Sequence, residues 1–191
     1  MTFYPLNRQL PETLTTDAFI LQPLQPDFAE MDYQAMLDRW EVQDYIGAGG
    51  EFSWEKNLDA LERHKREHNE RKAFAFAVLN PAQTRYFGCV YISPLFEHVK
   101  EQLNSAMLVG AGDVAAAIRF WVRDSRYEDG LSKRLILALA KWFDEQWEFT
   151  SYMFHTSVED QRQIQDYKEL GFVPSYKLDR TYGLFFEKPP A

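Results

Sequence analysis

The hydrophobic positions of this chain change their period along its length. Phe19-Ile20-Leu21 is a short apolar run ended at Pro23, which predicts a strand, while the Pro- and Thr-containing residues 1–17 predict an irregular segment. From Asp27 to Leu37 the apolar residues Phe28, Met31, Ala35 and Met36 recur at helical spacing, with Asp27 placed as an N-cap. A Gly-rich break at 47–50 follows. The polar stretch from Ser53 to about Lys72 then predicts a long helix, whose narrow stripe of Trp54, Leu58 and Leu61 leaves most of its surface in water. Next, Ala73–Leu79 alternates small and large apolar residues up to Asn80-Pro81, and Arg85–Ile92 alternates up to Ser93-Pro94. Two such runs around a short turn predict an antiparallel hairpin.

Residues 95–112, with breaks near Gly110 and Gly112, read as a loop before a third strong strand, Ala115–Val122. Leu131–Trp147 is apolar nearly all round, as in a helix buried against a sheet. Residues 149–156 are strand-like. Residues 164–170 are helical, with Gly171 where a left-handed C′ residue is expected, and strands near 172–178 and 181–187 close the chain. This order predicts an α/β (α+β) fold: one domain over 1–191, with a mixed sheet flanked by helices.

Composition narrows the function. The chain has 191 residues, 46% hydrophobic and 16% aromatic, which excludes disordered classes. No apolar run reaches the roughly 18 residues of a membrane span, and the first residues lack a basic n-region and an apolar h-region. A soluble, cytoplasmic protein is expected. With 29 acidic and 21 basic residues the net charge is −8, which disfavours nucleic acid as a partner and suits an amine-bearing substrate. The single cysteine, Cys89, excludes a disulfide framework and a cysteine-rich metal site, and within its alternating apolar run it reads as a small buried hydrophobe.

Two segments carry chemistry. In Trp121–Leu135 a strand ends, a polar loop carries Gly130, and a buried helix begins at once. Unpaired amides at such a helix start attract an anion; Gly130 permits close backbone approach, small Ser132 leaves the first turn open, and Lys133 and Arg134 could add charge. In Asp160–Phe172, Asp160 can cap a helix ended by Gly171, and Tyr167 borders its buried face, where a phenol can hand a proton to a leaving group.

Together the two segments resemble the GNAT superfamily of N-acetyltransferases, whose signature is a strand, then Gln/Arg-x-x-Gly-x-Gly/Ala, then a buried helix. Here that stretch reads Tyr127-Glu128-Asp129-Gly130-Leu131-Ser132, and a later Asn-x-x-Ser…Tyr-x-x-x-Gly-Phe pattern reads Asp160…Gln163 and Tyr167…Gly171-Phe172. Phe120-Trp121-Val122 and Gly88 match as well, and the element order agrees over roughly residues 17–187. Tyr127, Ser132, Asp160 and Gln163 depart from the family's usual residues.

The resemblance implies a mainly antiparallel twisted sheet, and transfer of an acetyl group from acetyl-CoA to a primary amine of a small molecule or peptide. The rival is a non-catalytic CoA- or ligand-binding module on the same fold. It further implies that Trp121, Val122 and Arg123 pair through their backbone with pantetheine, and that the amides of Glu128, Asp129, Gly130, Leu131, Ser132 and Lys133 hold the pyrophosphate. Asp160 joins that cofactor site, an amide near Val122 steadies an oxyanion, and Tyr167 protonates the CoA thiolate. Ser93, Glu97, His98 and His155 are the candidates for the base.

His64 and His68 have the spacing of a metal pair, but no third ligand pattern follows and the helix around them is rich in opposite charges, so no metal is expected. Membrane partners are not expected; a homodimer is compatible with the sequence.

Overall fold

The hydrophobic runs assemble into one eight-stranded sheet. The structure is a computed structural model, and it describes residues 2–95, 97, 114–127, 129–178 and 183–188. The strands are β1 (Leu14–Thr15), β2 (Ile20–Pro23), β3 (Phe74–Leu79), β4 (Tyr86–Pro94), β5 (Ala115–Val122), β6 (Ser151–Ser157), β7 (Val173–Leu178) and β8 (Gly183–Glu187). Their order is β1-β2-β3-β4-β5-β6-β8-β7. Neighbours are antiparallel except β5 and β6, which run parallel from Ala115–Ser151 to Ile118–Phe154.

Side chains alternate across the sheet, so each strand feeds two layers. One face presents Phe74, Phe76, Val90, Ile118, Phe120 and Phe154 to helix α4 (Leu131–Gln146) and helix α5 (Gln161–Glu169). The other presents Ala75, Ala77, Cys89 and Trp121 to helices α1 (Ala29–Leu37) and α3 (Trp54–Asn69). Cys89 is fully buried, and burial pushes its thiol up to about 12, so it packs as a small hydrophobe and not as a nucleophile.

Several elements differ from the sequence expectation. A helix α2 (Trp40–Gly47) occupies a stretch where no element was predicted; only Val42 of it is buried, too little for a periodic signal. Asp27 does not cap α1: it lies inside a 3-10 turn, Pro26–Phe28, whose proline sets the entry into the helix without a side-chain cap. β4 runs on through Ser93 and Pro94, which pair with Ala117 and Ala116. α4 is not apolar all round. Leu135, Ile136, Leu139, Trp142 and Phe143 face the sheet, whereas Arg134, Lys141 and the 53%-exposed Leu137 face outward.

Residues 2–17 are irregular apart from β1, yet they are tied down by side-chain contacts. Tyr4 is fully buried, edge-on to Phe74, Trp147 and Phe149, and its hydroxyl accepts from Glu148 N at 3.1 Å. Arg71, in the left-handed region at φ 53°, donates from its guanidinium to Pro5 O and Arg8 O. The predicted loop at 95–112, including Gly110 and Gly112, falls almost wholly outside the described residues.

Candidate active site

The parallel pairing of β5 and β6 ends at Ile118–Phe154, although β5 continues to Val122 and β6 to Ser157, where it pairs with β8. The strands therefore part and leave a gap. Arg123 N donates to Phe87 O at 2.8 Å, so by strand alternation Arg123 and Trp121 turn their backbone groups toward β4, while Val122 and Phe120 turn theirs toward the gap. Of the three residues expected to pair with pantetheine, Val122 alone offers its backbone there. Phe120 was not foreseen, and its carbonyl accepts from Gln163 Nε2 at 3.2 Å. Gly88 permits this strand end: a Cβ on it would lie 2.0 Å from Trp121 O.

Just beyond the gap the chain tightens into a 3-10 turn, Asp124–Arg126, and reaches Gly130 at φ +68°. That left-handed turn is cheap for glycine alone and starts α4 with no side-chain cap. Arg134 N bonds back to Gly130 O, so the amides of Leu131, Ser132 and Lys133 form the open first turn at the positive end of the helix. Ser132 is 1% exposed, and the phenol of Tyr127 is held well above its usual range by burial and then by nearby Asp160. The Arg162 guanidinium lies 4.3 Å from the Tyr127 ring centroid and pairs with Asp124. Lys133 is engaged elsewhere, with Glu169 and, at 3.8 Å, Asp166. Asp160 caps α5 by accepting from Gln163 N at 3.0 Å, as its position suggested. Asp129 pairs with Arg126 at 2.6 Å, and Glu128 lies outside the described residues.

Tyr167 is fully buried on α5, its ring stacked on Phe186 at 4.7 Å and packed against Phe154 and Phe120. Its hydroxyl has no hydrogen-bond partner among the described residues. Burial, with Tyr127, Asp160 and Asp166 nearby, raises its pKa well above 10, so the phenol keeps its proton at every physiological pH. A buried donor without a partner is costly, by about 1–3 kcal/mol, and such groups gather where a ligand completes them. An orphaned donor, an open helix start and the exposed edge of β5 suit a long thioester cofactor with a pyrophosphate.

On the opposite face a cleft of about 570 Å³ opens over the same gap. Arg119 and Trp121 from β5 and His155 from β6, the two arms of the gap, belong to its floor, and Ser93 and Glu97 border it. Three of the four predicted base candidates thus come together; His98 lies outside the described residues. His155 stacks on Phe185 at 4.5 Å.

The cleft also holds residues that sequence reasoning did not select. His64 Nδ1 is 3.5 Å from Glu67, and its ring packs on Tyr91 at 5.2 Å. Burial and neighbouring Arg63 hold this imidazole below 6.5 against the opposing pull of Glu67, so it is neutral near pH 7. Tyr91 accepts from Trp121 Nε1 at 3.4 Å, and Arg39 lies 4.8 Å over the Trp121 ring. His68 does not join His64: it is buried edge-on to Phe74 and Phe76. Among the described residues no three His, Cys, Asp or Glu side chains gather as a metal site, and no helix is long and apolar enough to cross a membrane.

Parted parallel strands, an open helix start and a facing cleft thus meet at one gap, and comparison with known proteins gives the family. The model of the acetyltransferase (GNAT) domain matches residues 19–173, and the chain belongs to that family of acetyltransferases. No curated protein sequence matches it. Among solved structures, one described as a ribosomal-protein-serine acetyltransferase from Vibrio cholerae is 16% identical, with TM-score 0.72 over 93% of this chain and 97% of the other. An acetyltransferase from Salmonella typhimurium that modifies the N-terminal serine of 50S ribosomal subunit protein L7/L12 is 11% identical, with TM-score 0.68 over 94% and 100%. The RimL L7/L12 α-N-protein acetyltransferase in complex with coenzyme A is 13% identical, with TM-score 0.67 over 92% and 96%. At these identities the likeness is one of fold.

Proposed function

We propose that this protein transfers the acetyl group of acetyl-CoA to a primary amine, with the α-amine of a peptide as the acceptor to try first. The observation that carries the reading is the buried Tyr167 hydroxyl, which lacks a described partner and packs beside Phe120 at the gap. Two of the similar structures named above act, by their descriptions, on ribosomal-protein N-termini, which supports the peptide choice.

The chain's own groups divide the work. The amides of Leu131, Ser132 and Lys133 hold the pyrophosphate by backbone dipoles, so the replaced side chains at Tyr127 and Ser132 do not forbid binding. Val122 offers its backbone to pantetheine and an N–H to the carbonyl oxygen as negative charge develops there. His64, neutral and oriented by Glu67, takes the proton of the incoming ammonium. As the new N–C bond forms and the C–S bond breaks, Tyr167 donates to the departing thiolate, and the second proton that the nitrogen sheds on becoming an amide restores the phenol. Because its own pKa is raised, Tyr167 works best as a strong hydrogen-bond donor whose proton moves only as the thiolate leaves.

Thermal shift and turnover test this. Acetyl-CoA at about 100 times its Kd stabilises a protein that binds it by ~2.7 kcal/mol. Stabilisation together with acetylation of an N-terminal peptide amine supports the reading. Stabilisation without turnover on peptides or small amines indicates a binding module, and no stabilisation removes both.

A further inference from the structure

Arg119 stands apart from the other basic side chains of the cleft. Arg39 pairs with Glu41 at 2.7 Å, and His64 is 3.5 Å from Glu67. Arg119 lines the same cleft, is exposed there, and makes no hydrogen bond or ion pair with any described residue. In a chain with 29 acidic and 21 basic residues, a guanidinium that makes no ion pair with any described carboxylate runs against the average surroundings.

Its position is as telling as its solitude. Arg119 is the first residue of β5 past the end of the β5–β6 pairing, so its side chain leaves the floor where the gap opens. Ala117 and Trp121 flank it on the same face: the small one leaves room above the floor and the large one walls it. An amine delivered into the gap therefore carries its adjoining atoms across Arg119. A guanidinium presents a planar fork of donors that matches a carboxylate in two parallel hydrogen bonds.

We infer that Arg119 selects the acceptor: the substrate is an amine with a carboxylate a few bonds away, which Arg119 binds. This rests on the acetyl-transfer reading and names its substrate class. The carboxylate has two sources, the α-carboxylate of a free amino acid or an acidic side chain near a peptide N-terminus, and the test separates them.

The assay uses the full chain with acetyl-CoA and C-terminally amidated tetrapeptides that begin Ser-Glu, Ser-Gln or Ser-Lys, with free serine and serinamide as the small pair. The expected result is a kcat/KM about tenfold higher for Ser-Glu than for Ser-Gln, or for serine than for serinamide, the favoured pair identifying the source. Arg119→Gln removes the preference and Arg119→Glu turns it toward Ser-Lys. A second arm needs no turnover. Calorimetric binding of the N-acetylated products to the protein with CoA should favour the acidic product about tenfold, and only while Arg119 is present. Charge-blind binding and turnover overturn the inference. Charge-selective product binding without turnover sustains it and removes the catalytic reading instead.

Discussion

The gap between β5 and β6 is approached from two faces of the sheet, and each face is made of a different material. Under α4 and α5 the working groups are backbone: the first-turn amides of α4, the edge of β5 at Val122, and one buried phenol, Tyr167. Under α1 and α3 they are side chains from five elements: Met36 and Arg39 by α1, His64 and Glu67 of α3, Tyr91 and Ser93 of β4, Arg119 and Trp121 of β5, and His155 of β6. A site of amides depends on the path of the chain and tolerates replaced side chains. A site of side chains changes with every replacement. On the proposed reading the first face suits a constant co-substrate, and the second the choice of amine.

The sharpest way to break that division is Tyr167→Phe. Loss of the donor should lower kcat about 100-fold while the Kd for acetyl-CoA stays within about twofold. Because the hydroxyl has no described partner, its removal relieves a desolvation cost of about 1–3 kcal/mol, so Tm should hold or rise. A variant that is slower and no less stable marks a group kept for chemistry. A drop in Tm with unchanged kcat would make Tyr167 an ordinary core residue.

Gly88→Ala tests the backbone face through its frame. The added methyl would meet Trp121 O at 2.0 Å and Val122 Cα at 2.9 Å, both backbone atoms, so β4 and β5 must move apart at the gap. Overpacking of this kind costs about 1–3 kcal/mol. For a chain of this size that is a fall in Tm of roughly 2–12 °C, read by thermal unfolding. Acetyl-CoA affinity should weaken with it, since Val122 is the residue displaced. An unchanged Tm would show that β4 and β5 take up the methyl without parting.

On the side-chain face, His64→Gln should lower kcat/KM about tenfold at pH 7, which a pH–rate profile reads. The wild-type profile should fall on the acid side only below 6.5, because burial and Arg63 favour the neutral imidazole that accepts the proton. In the variant that limb should vanish. If it persists, the base is another group of the cleft, and His155→Gln is the next substitution to profile.

The same contrast explains what the sequence could disclose. The strands around Cys89 and Trp121 and the helix of Trp142 announce themselves by local periodicity. Gly130 and Tyr167 lie in order on contiguous segments, so local motifs can carry the family resemblance that implies the backbone face. The cleft is not contiguous: His64 and Arg119 are 55 positions apart by their numbers and line one cleft only because α3 packs on the sheet at β3, beside β4 and β5. Helix α2 was missed for a related reason. Its first amide, Trp40 N, is held at 3.1 Å by Asp124, a cap supplied from the far end of β5 that no local motif records. Arg123, which also pairs with Asp38, ties the same corner. The single-residue phase of β5 is not legible in the sequence: backbone groups alternate sides along a strand, and only the register with β4 turns those of Trp121 and Arg123 toward β4 and those of Val122 toward the gap.

The smallest expected effect bears on the charge that the sequence placed at the anion site. Lys133 follows Gly130 closely enough to suggest a phosphate ligand, yet its ammonium is held by Glu169 and Asp166 on α5. Exposed pairs of this kind contribute little to stability, and salt weakens them further. Lys133→Ala should therefore lower stability only slightly and change the acetyl-CoA Kd by less than about twofold, because the amide of residue 133 survives the substitution while its side chain does not. A tenfold loss of affinity would mean that Lys133 leaves Glu169 when the pyrophosphate binds, and that part of the backbone face is made of side chains after all.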